Sequence, residues 1–435
     1  MRRRLERYFE FDRLQTTWRT EILAGATTFV TMAYIVFVNP SILHDAGMPF
    51  QAVVAATCFC AAFGSILMGA FARYPIALAP GMGLNAYFAY TIVKGMGISW
   101  QTALGAVFLS GVAFLLLTAV GVRQLIVEAI PTELYAAVAA GIGLFIALIG
   151  LRNAGIVAAS PATLVTLGNL HDKNTVLAIF GLALTSALMA WRVRAAMLLG
   201  ILGTTLAGVL AGLVKWSPET YRISDIAATA DKLDIRAAAH IGLLEIVFVF
   251  LFVDLFDNIG TLVGVGKKAG LFDEANRIPR LGRILTSDAL ATIVGSFAGT
   301  STVTSYIESA AGVVAGGRTG ITAIVTGLLF AAALFVAPLI GAVPSAATAP
   351  ALILVGSLML SHVAEIRWNE PQIAIPAFLT IVTIPLTFSI ATGLSFGFTA
   401  YAILRLARGE CQRKDWLVYV LAAVFVARFF YLGAL

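Results

Sequence analysis

The stretch Leu251-Phe252-Val253-Asp254-Leu255-Phe256-Asp257-Asn258-Ile259-Gly260-Thr261-Leu262-Val263-Gly264 decides how this chain is built. At helical spacing Asp254, Asp257, Asn258 and Thr261 stand at i, i+3, i+4 and i+7, so two carboxyls, an amide and a hydroxyl share one face. The other faces carry Leu, Phe, Ile and Val. A segment this apolar belongs in a bilayer, where a charged side chain at the centre costs about 3 kcal/mol on insertion scales. Two carboxyls on one helix therefore imply an interior polar site with a task. The structural alternative is a buried pair satisfied by hydroxyls of neighbouring helices.

Working outward, the composition fits the same setting. Hydrophobic residues make up 60% of the chain and charged residues 12%, whereas soluble domains carry about a quarter charged residues. Forty glycines and 14 prolines suit close-packed and broken membrane helices. Apolar runs able to cross about 30 Å of hydrocarbon fall at 21–38, 52–71, 78–94, 101–120, 133–151, 174–191, 195–214, 242–265, 283–298, 301–316, 319–340, 346–364, 372–388 and 390–407. The fold class is thus an all-α polytopic membrane protein of 14 spans. A further apolar segment, 416–433, contains Arg428 and follows a basic loop, so a helix along the inner membrane surface is expected there.

Arg2, Arg3, Arg4, Arg7, Arg13 and Arg19 precede the first span, with no early apolar stretch or cleavage site of the kind a secretory leader has. With the N-terminus inside, most loop Lys and Arg, among them Arg73, Arg192, Arg194, Arg318 and Arg367, fall on the inner side. Both termini are then cytoplasmic. The net charge of +6 does not point to nucleic acid, because the basic residues sit in loops rather than on one face. Cys58, Cys60 and Cys411 make no disulfide framework or metal site, and His44, His171, His240 and His362 are scattered. No nucleotide-binding loop is present, so an ion gradient is the expected energy source and no cofactor is expected.

Two halves are visible. Ser110-Gly111-Val112-Ala113-Phe114 matches Thr326-Gly327-Leu328-Leu329-Phe330, and Ala129-Ile130-Pro131-Thr132 matches Ala342-Val343-Pro344-Ser345. Seven spans separate the members of each pair, and an odd number forces the copies into opposite orientations, the inverted-repeat plan of secondary transporters. The third span of each half is broken. Ala79-Pro80-Gly81-Met82-Gly83-Leu84-Asn85-Ala86 breaks span 3 with Pro and Gly. In span 10, Thr300-Ser301-Thr302-Val303-Thr304 favours a short extended piece, with helix restarting near Ser305. Paired breaks of this kind point to a binding site at the membrane midplane.

The candidate groups follow from that geometry. Ser305, Glu308, Ser309 and Gly312 form a second polar stripe, and a capping box between Ser305 and Glu308 is its structural alternative. Asn85 lies just after the first break, where an amide could instead satisfy unwound backbone. Two desolvated carboxyls such as Asp254 and Asp257 can exchange a proton as a site alternates between faces. With the Asn85 amide they offer both donors and acceptors to the edge of a planar heterocycle. Phe88, Tyr87, Tyr306 or Phe252 could stack on its face.

Arg19-Thr20-Glu21-Ile22-Leu23-Ala24-Gly25 through Asn39-Pro40, Pro80-Gly81-Met82-Gly83-Leu84-Asn85-Ala86, Asp254-Leu255-Phe256-Asp257-Asn258-Ile259-Gly260-Thr261, and Thr304-Ser305-Tyr306-Ile307-Glu308-Ser309 to Gly316-Gly317-Arg318-Thr319-Gly320 together resemble the AzgA-like adenine/guanine/hypoxanthine permeases. The resemblance covers about residues 16–407. It implies proton-coupled purine uptake on the uracil-permease fold, with two inverted seven-span repeats and an inner-membrane location. On that fold a core domain would comprise 21–120 and 242–340. A gate domain would comprise 133–214 and 346–407. Segments 1–20, 215–241 and 416–433 would be a cytoplasmic N-terminal segment, an extracytoplasmic inter-repeat loop and an interfacial helix. By motif position the resemblance implies that Asn85, Asp254 and Glu308 bind the purine, while Asp257 serves transport more than recognition. Phe88 and Ser305 join the binding set, and Asp254 and Glu308 join Asp257 in proton coupling. Dimerisation on this fold runs through the gate domain.

Ser309 after Glu308 argues against the xanthine/urate and uracil branches. A related permease for xanthine, uracil or another small solute is the transport alternative. A membrane enzyme using Asp254 and Asp257 as a catalytic or metal-binding pair is the alternative of another class. A channel fits the broken spans least well.

Overall fold

The computed structural model describes residues 2–120, 131–215, 223–240, 244–269, 272, 278–336, 343–409 and 416–432. The matched segments 129–132 and 342–345 lie partly outside these residues. The apolar runs form helices, and the helices break where the chain supplies Pro, Gly or a β-branched run. In order come α1 (Arg2–Tyr8), α2 (Phe11–Leu14), α3 (Trp18–Met32), α4 (Ile35–Asp45) and α5 (Phe50–Leu67), the last running into a π-helical turn at Met68–Ala72. Strand β1 (Leu78–Pro80) leads into α6 (Met82–Ala86), which continues as a π-helical segment, Tyr87–Gly95. Helices α7 (Trp100–Val120) and α8 (Thr132–Asn153) precede a hairpin of β2 (Val157–Ser160) and β3 (Leu164–Leu167). Then come α9 (Lys173–Ala190), α10 (Ala196–Leu210), two short helices α11 (Ile223–Ile226) and α12 (Ile235–Ala238), α13 (Leu244–Ala269) and α14 (Leu281–Ala298). Strand β4 (Val303–Ser305) is followed by α15 (Ser309–Val314), α16 (Gly320–Val336), α17 (Ser345–Met359), α18 (Pro371–Thr387), α19 (Ile390–Ala407) and α20 (Trp416–Leu432).

Among the described residues, eight helices are long and apolar enough to cross a bilayer, with shorter apolar helices beside them. The protein is an all-helical membrane protein, and among the described residues strands occur only as two short antiparallel pairs. The chain forms two compact units, Met1–Leu116 with Leu151–Ala351, and Leu117–Gly150 with Leu352–Leu435.

In the first unit, the span expected over 21–38 is built from two helices. It divides at Ala33–Tyr34 into α3 and α4, and Pro40 lies inside α4. Small residues let the neighbouring helices meet backbone to backbone, as in membrane bundles generally. At Gly69 and Gly320 each Cβ, if present, would fall within 2.3 Å of the other's carbonyl oxygen, so neither position accepts a side chain. Glu21, with no exposed surface, joins the start of α3 to the start of α16. It accepts from the hydroxyls of Thr16 (2.8 Å) and Thr322 (2.6 Å) and from the backbone N–H of Arg318 (3.0 Å) and Thr319 (3.3 Å). Four donors on one carboxylate are what allow a charge to be buried there. The inter-repeat segment also packs on this unit: Thr229 donates to the Ala298 carbonyl and the Asp231 N–H to that of Phe297.

In the second unit, Ala136, Ala137 and Ala140 pack with Ile373, Ala377 and Ile381 of α18. Helix α20 lies along α19 through Val418, Leu421, Ala422 and Phe425, and the Phe398 and Phe425 rings are 5.9 Å apart.

Candidate functional site

The two breaks meet. β1 and β4 pair antiparallel, with Leu78 opposite Ser305, Ala79 opposite Thr304 and Pro80 opposite Val303. The pairing is extended by Tyr306 N–H to the Ala77 carbonyl (3.0 Å) and Gly81 N–H to the Thr302 carbonyl (2.9 Å). Unwound backbone inside a membrane must find partners within the protein. Here one hydroxyl serves each strand. Ser65 of α5 donates to the Leu78 carbonyl and accepts from the Leu78 N–H, both at 3.0 Å. Thr292 of α14 does the same for Val303, at 3.0 and 3.1 Å. A hydroxyl can play both roles because it carries one donor and two lone pairs.

Glu308 sits in the turn between β4 and α15 and is half-buried. Tyr34, at the break of span 1, donates its hydroxyl to Glu308 Oε1 at 2.6 Å. The capping box, the structural alternative for this stripe, is not formed: Glu308 makes no side-chain cap bond to α15, helix restarts at Ser309 rather than near Ser305, and the Ser305 hydroxyl donates to Asn258 Oδ1 at 3.0 Å. The β-branched run through Thr304 keeps Ser305 in the strand, three residues short of the turn that a capping box needs.

Helix α13 packs against α6, β4 and α15. Its polar stripe divides: Asp254, Asn258 and Thr261 are buried, and Asp257 is half-buried. Asn258 thus joins the stripe directly to β4 through Ser305. Tyr306, which donates its hydroxyl to the Pro80 carbonyl at 2.5 Å, lies within electrostatic reach of both Glu308 and Asp257. Phe88 is fully buried. Phe252 stands in a column with Phe248 and Phe256, ring centroids 5.4 and 4.4 Å away, and Tyr87 meets Phe250 edge-on at 5.4 Å. Asn85 is fully buried at the start of the second half of span 3, hydrogen-bonded to Asn39 and Ser301.

Structure therefore brings Glu308, Ser305 and the α13 stripe to the crossing of the broken spans, and places Asn85 in a sealed polar pocket nearby. Tyr34, Asn39, Thr57 and Ser301 were not singled out from sequence. An intramembrane amide beside Pro40 carried the same signal that flagged Asn85, whereas a lone tyrosine in an apolar run carries none. Among the described residues no cluster of three or more His, Cys, Asp or Glu is arranged to hold a metal ion.

The family model described as Permease family (Xan_ur_permease) matches residues 19–396. The chain is 44% identical to the adenine permease AdeP of Escherichia coli strain K12, over 99% of this chain and 97% of that one. It is 46% identical to the guanine/hypoxanthine permease PbuG of Bacillus subtilis strain 168, over 98% and 100%. Its fold is similar to the transmembrane domain of the cyanobacterial bicarbonate transporter BicA, with a TM-score of 0.64 at 15% identity, covering 94% of this chain and 98% of that one. A multi-pass membrane transporter rather than an enzyme, the chain belongs to the Xan_ur_permease family of permeases, in the AzgA-like group that its motifs resemble.

Proposed function

We propose that this protein imports purine nucleobases, adenine, guanine or hypoxanthine, together with protons across the cytoplasmic membrane. The observation that carries the reading is the half-buried Glu308 at the pairing of β1 and β4, one oxygen held by Tyr34, in a chain whose relatives are named adenine and guanine/hypoxanthine permeases. A carboxylate accepts two N–H groups side by side, as the Watson–Crick edge of guanine presents them, and a protonated carboxyl donates to a ring nitrogen while accepting from an amino group. Glu308 and Asp254 supply those groups, Ser305 adds a hydroxyl beside them, and Phe88 backs the site. Asp257, half-buried one turn from Asp254, exchanges the coupled proton with Asp254 and Glu308. Asn85, buried just after the break of span 3, adds its amide to the same binding set.

In this reading the chain has 14 spans in two inverted seven-span repeats, with both termini cytoplasmic and 416–433 on the inner surface. Core segments 21–120 and 242–340 carry the site, and gate segments 133–214 and 346–407 move against them by alternating access. The gate domain is also where two copies would pair. The test is uptake of labelled adenine, guanine, hypoxanthine, xanthine and uracil in cells lacking their own permeases, with and without a protonophore. Protonophore-sensitive uptake limited to the first three supports the reading. Preference for xanthine or uracil moves the chain to a sister specificity, and uptake of none of the five rejects it.

A further inference from the structure

Glu21 is a fully buried carboxylate of the first unit that the transport reading leaves without a task. Replacing a buried charge by an apolar side chain of similar size is often neutral or stabilising, so stability alone does not account for it. Its four donors show what it organises. The Thr16 hydroxyl and the Arg318 N–H reach Oε1, and the Thr319 N–H and the Thr322 hydroxyl reach Oε2. Three of the four thus belong to 318–322, the stretch that follows α15, and α15 is the six-residue helix that starts directly after Glu308.

A helix this short does not hold itself in place, since isolated helices below about 12–15 residues are marginal. α15 is held from outside at three points. At its start, Ser309 Oγ accepts from the Ala77 N–H at 3.0 Å. Along its side, Gly312 lies so close to α3 that a Cβ there would come within 2.0 Å of Thr28 Oγ1 and 2.7 Å of the Ala24 carbonyl oxygen. At its end, one guanidinium nitrogen of Arg318 donates to the Val313 carbonyl at 2.7 Å and to the Gly317 carbonyl at 2.8 Å, satisfying carbonyls that the end of a helix leaves over. Glu21, Ala24 and Thr28 stand at i, i+3 and i+7 on one face of α3, and none of the three has exposed surface. The same span continues to Tyr34, which holds Glu308 Oε1. One span therefore grips the Glu308 segment at both ends, with Tyr34 at the carboxyl and Glu21, through the backbone of Arg318, beyond the far end of α15. We propose that Glu21 is a positioning residue for Glu308: it fixes the backbone of Arg318, the Arg318 guanidinium fixes the end of α15, and α15 sets where the Glu308 carboxyl stands. The inference rests on the purine reading for its transport test but not for its structural one.

The experiment uses the full-length chain with Glu21→Gln and Arg318→Met, each alone and combined with Glu308→Gln. Three quantities are measured: membrane abundance; KM and maximal rate for adenine, guanine and hypoxanthine; and hydrogen exchange of 309–315 in the purified protein. If Glu21 positions Glu308, KM rises by about tenfold in Arg318→Met, the worth of one buried hydrogen bond, with maximal rate changing less. In Glu21→Gln, where an NH2 group meets donors, KM rises by at least as much. Neither substitution raises KM further in the Glu308→Gln background, because the effect runs through that carboxyl. Exchange of 309–315 quickens in both single variants. Should Glu21→Gln not reach the membrane, Arg318→Met carries the same test, since the backbone N–H groups that Glu21 accepts from remain. A rise in KM by the same factor with and without Glu308→Gln would overturn the inference. So would abundance and maximal rate falling at constant KM, or unchanged exchange. If the unmodified protein carries no purine, the proposed function fails, and hydrogen exchange alone decides whether Glu21 and Arg318 hold α15.

Discussion

A hydroxyl that meets a carboxyl inside a membrane constrains both groups, and Tyr34 with Glu308 is that case. Glu308→Gln keeps the shape and removes the charge-assisted hydrogen bonds, so uptake should fall by about tenfold to a hundredfold, the range for a hydrogen bond to a charged group, at unchanged membrane abundance. Tyr34→Phe removes a single donor, and a rise in KM of up to about tenfold is expected in the same assay. Asp257→Asn should separate two functions: equilibrium binding of labelled base to purified protein is retained, while uptake driven by an imposed pH gradient slows. Equal loss of both would place Asp257 among the ligands instead. Glu308, Asp254 and Asp257 were legible in the sequence because a carboxyl in an apolar run is costly enough to need a reason. Tyr34 was not, because its partner lies 274 residues away and nothing local marks it.

The breaks in spans 3 and 10 were legible as elements because Pro80-Gly81 and the Ser/Thr/Val run cannot continue a helix comfortably. Their pairing was not, since register between β1 and β4 depends on contacts more than 200 residues apart. Nor was the device that makes unwinding tolerable, a single hydroxyl serving both backbone groups of one residue in each break. Losing it orphans a buried N–H and a buried carbonyl together, at about 1–3 kcal/mol each. Ser65→Ala and Thr292→Val should therefore lower the thermal unfolding temperature in detergent by similar amounts, with Thr292→Ser close to the unmodified protein. A loss in only one of the two would mean that the halves are not equivalent in how they hold their strands. The capping box that is the structural alternative for Ser305 and Glu308 does not form for a related reason: the local pattern fits one, but α13 and the α3–α4 break supply better partners, Asn258 for Ser305 and Tyr34 for Glu308.

At the scale of the molecule, the arginines before span 1 were read only as a topology signal, and the structure gives that segment a place. Phe9 and Phe11 are buried against Ile321. Tyr8 donates its hydroxyl to the Ala70 carbonyl at 2.8 Å, Arg73 donates to the Tyr8 carbonyl at 2.9 Å, and Glu10 pairs with Arg13, Arg73 and Arg280. One acidic residue therefore holds three basic ones, which a count of charges cannot reveal. Glu6 adds a pH dependence. The indole N–H of Trp18, donating at 2.8 Å, and then Arg2 hold its carboxyl below the ordinary value of 4.5. A depressed carboxyl contributes stability that is present above the unfolded value and lost as pH falls through the folded one, so the segment should loosen only on acidification below about 4.5. Trypsin cleavage at Arg13 and Arg19 in membrane vesicles reads both the docking and the topology. In inside-out vesicles at neutral pH the unmodified segment should be cut slowly. Glu10→Gln leaves Arg73 and Arg280 without their shared partner and should speed cleavage by about fivefold, as expected for a loss near 1 kcal/mol in a partly exposed ionic network. Cleavage only in right-side-out vesicles would reverse the proposed orientation, and equal rates for both proteins would mean that the apolar contacts of Phe9 and Phe11 hold the segment without help from Glu10.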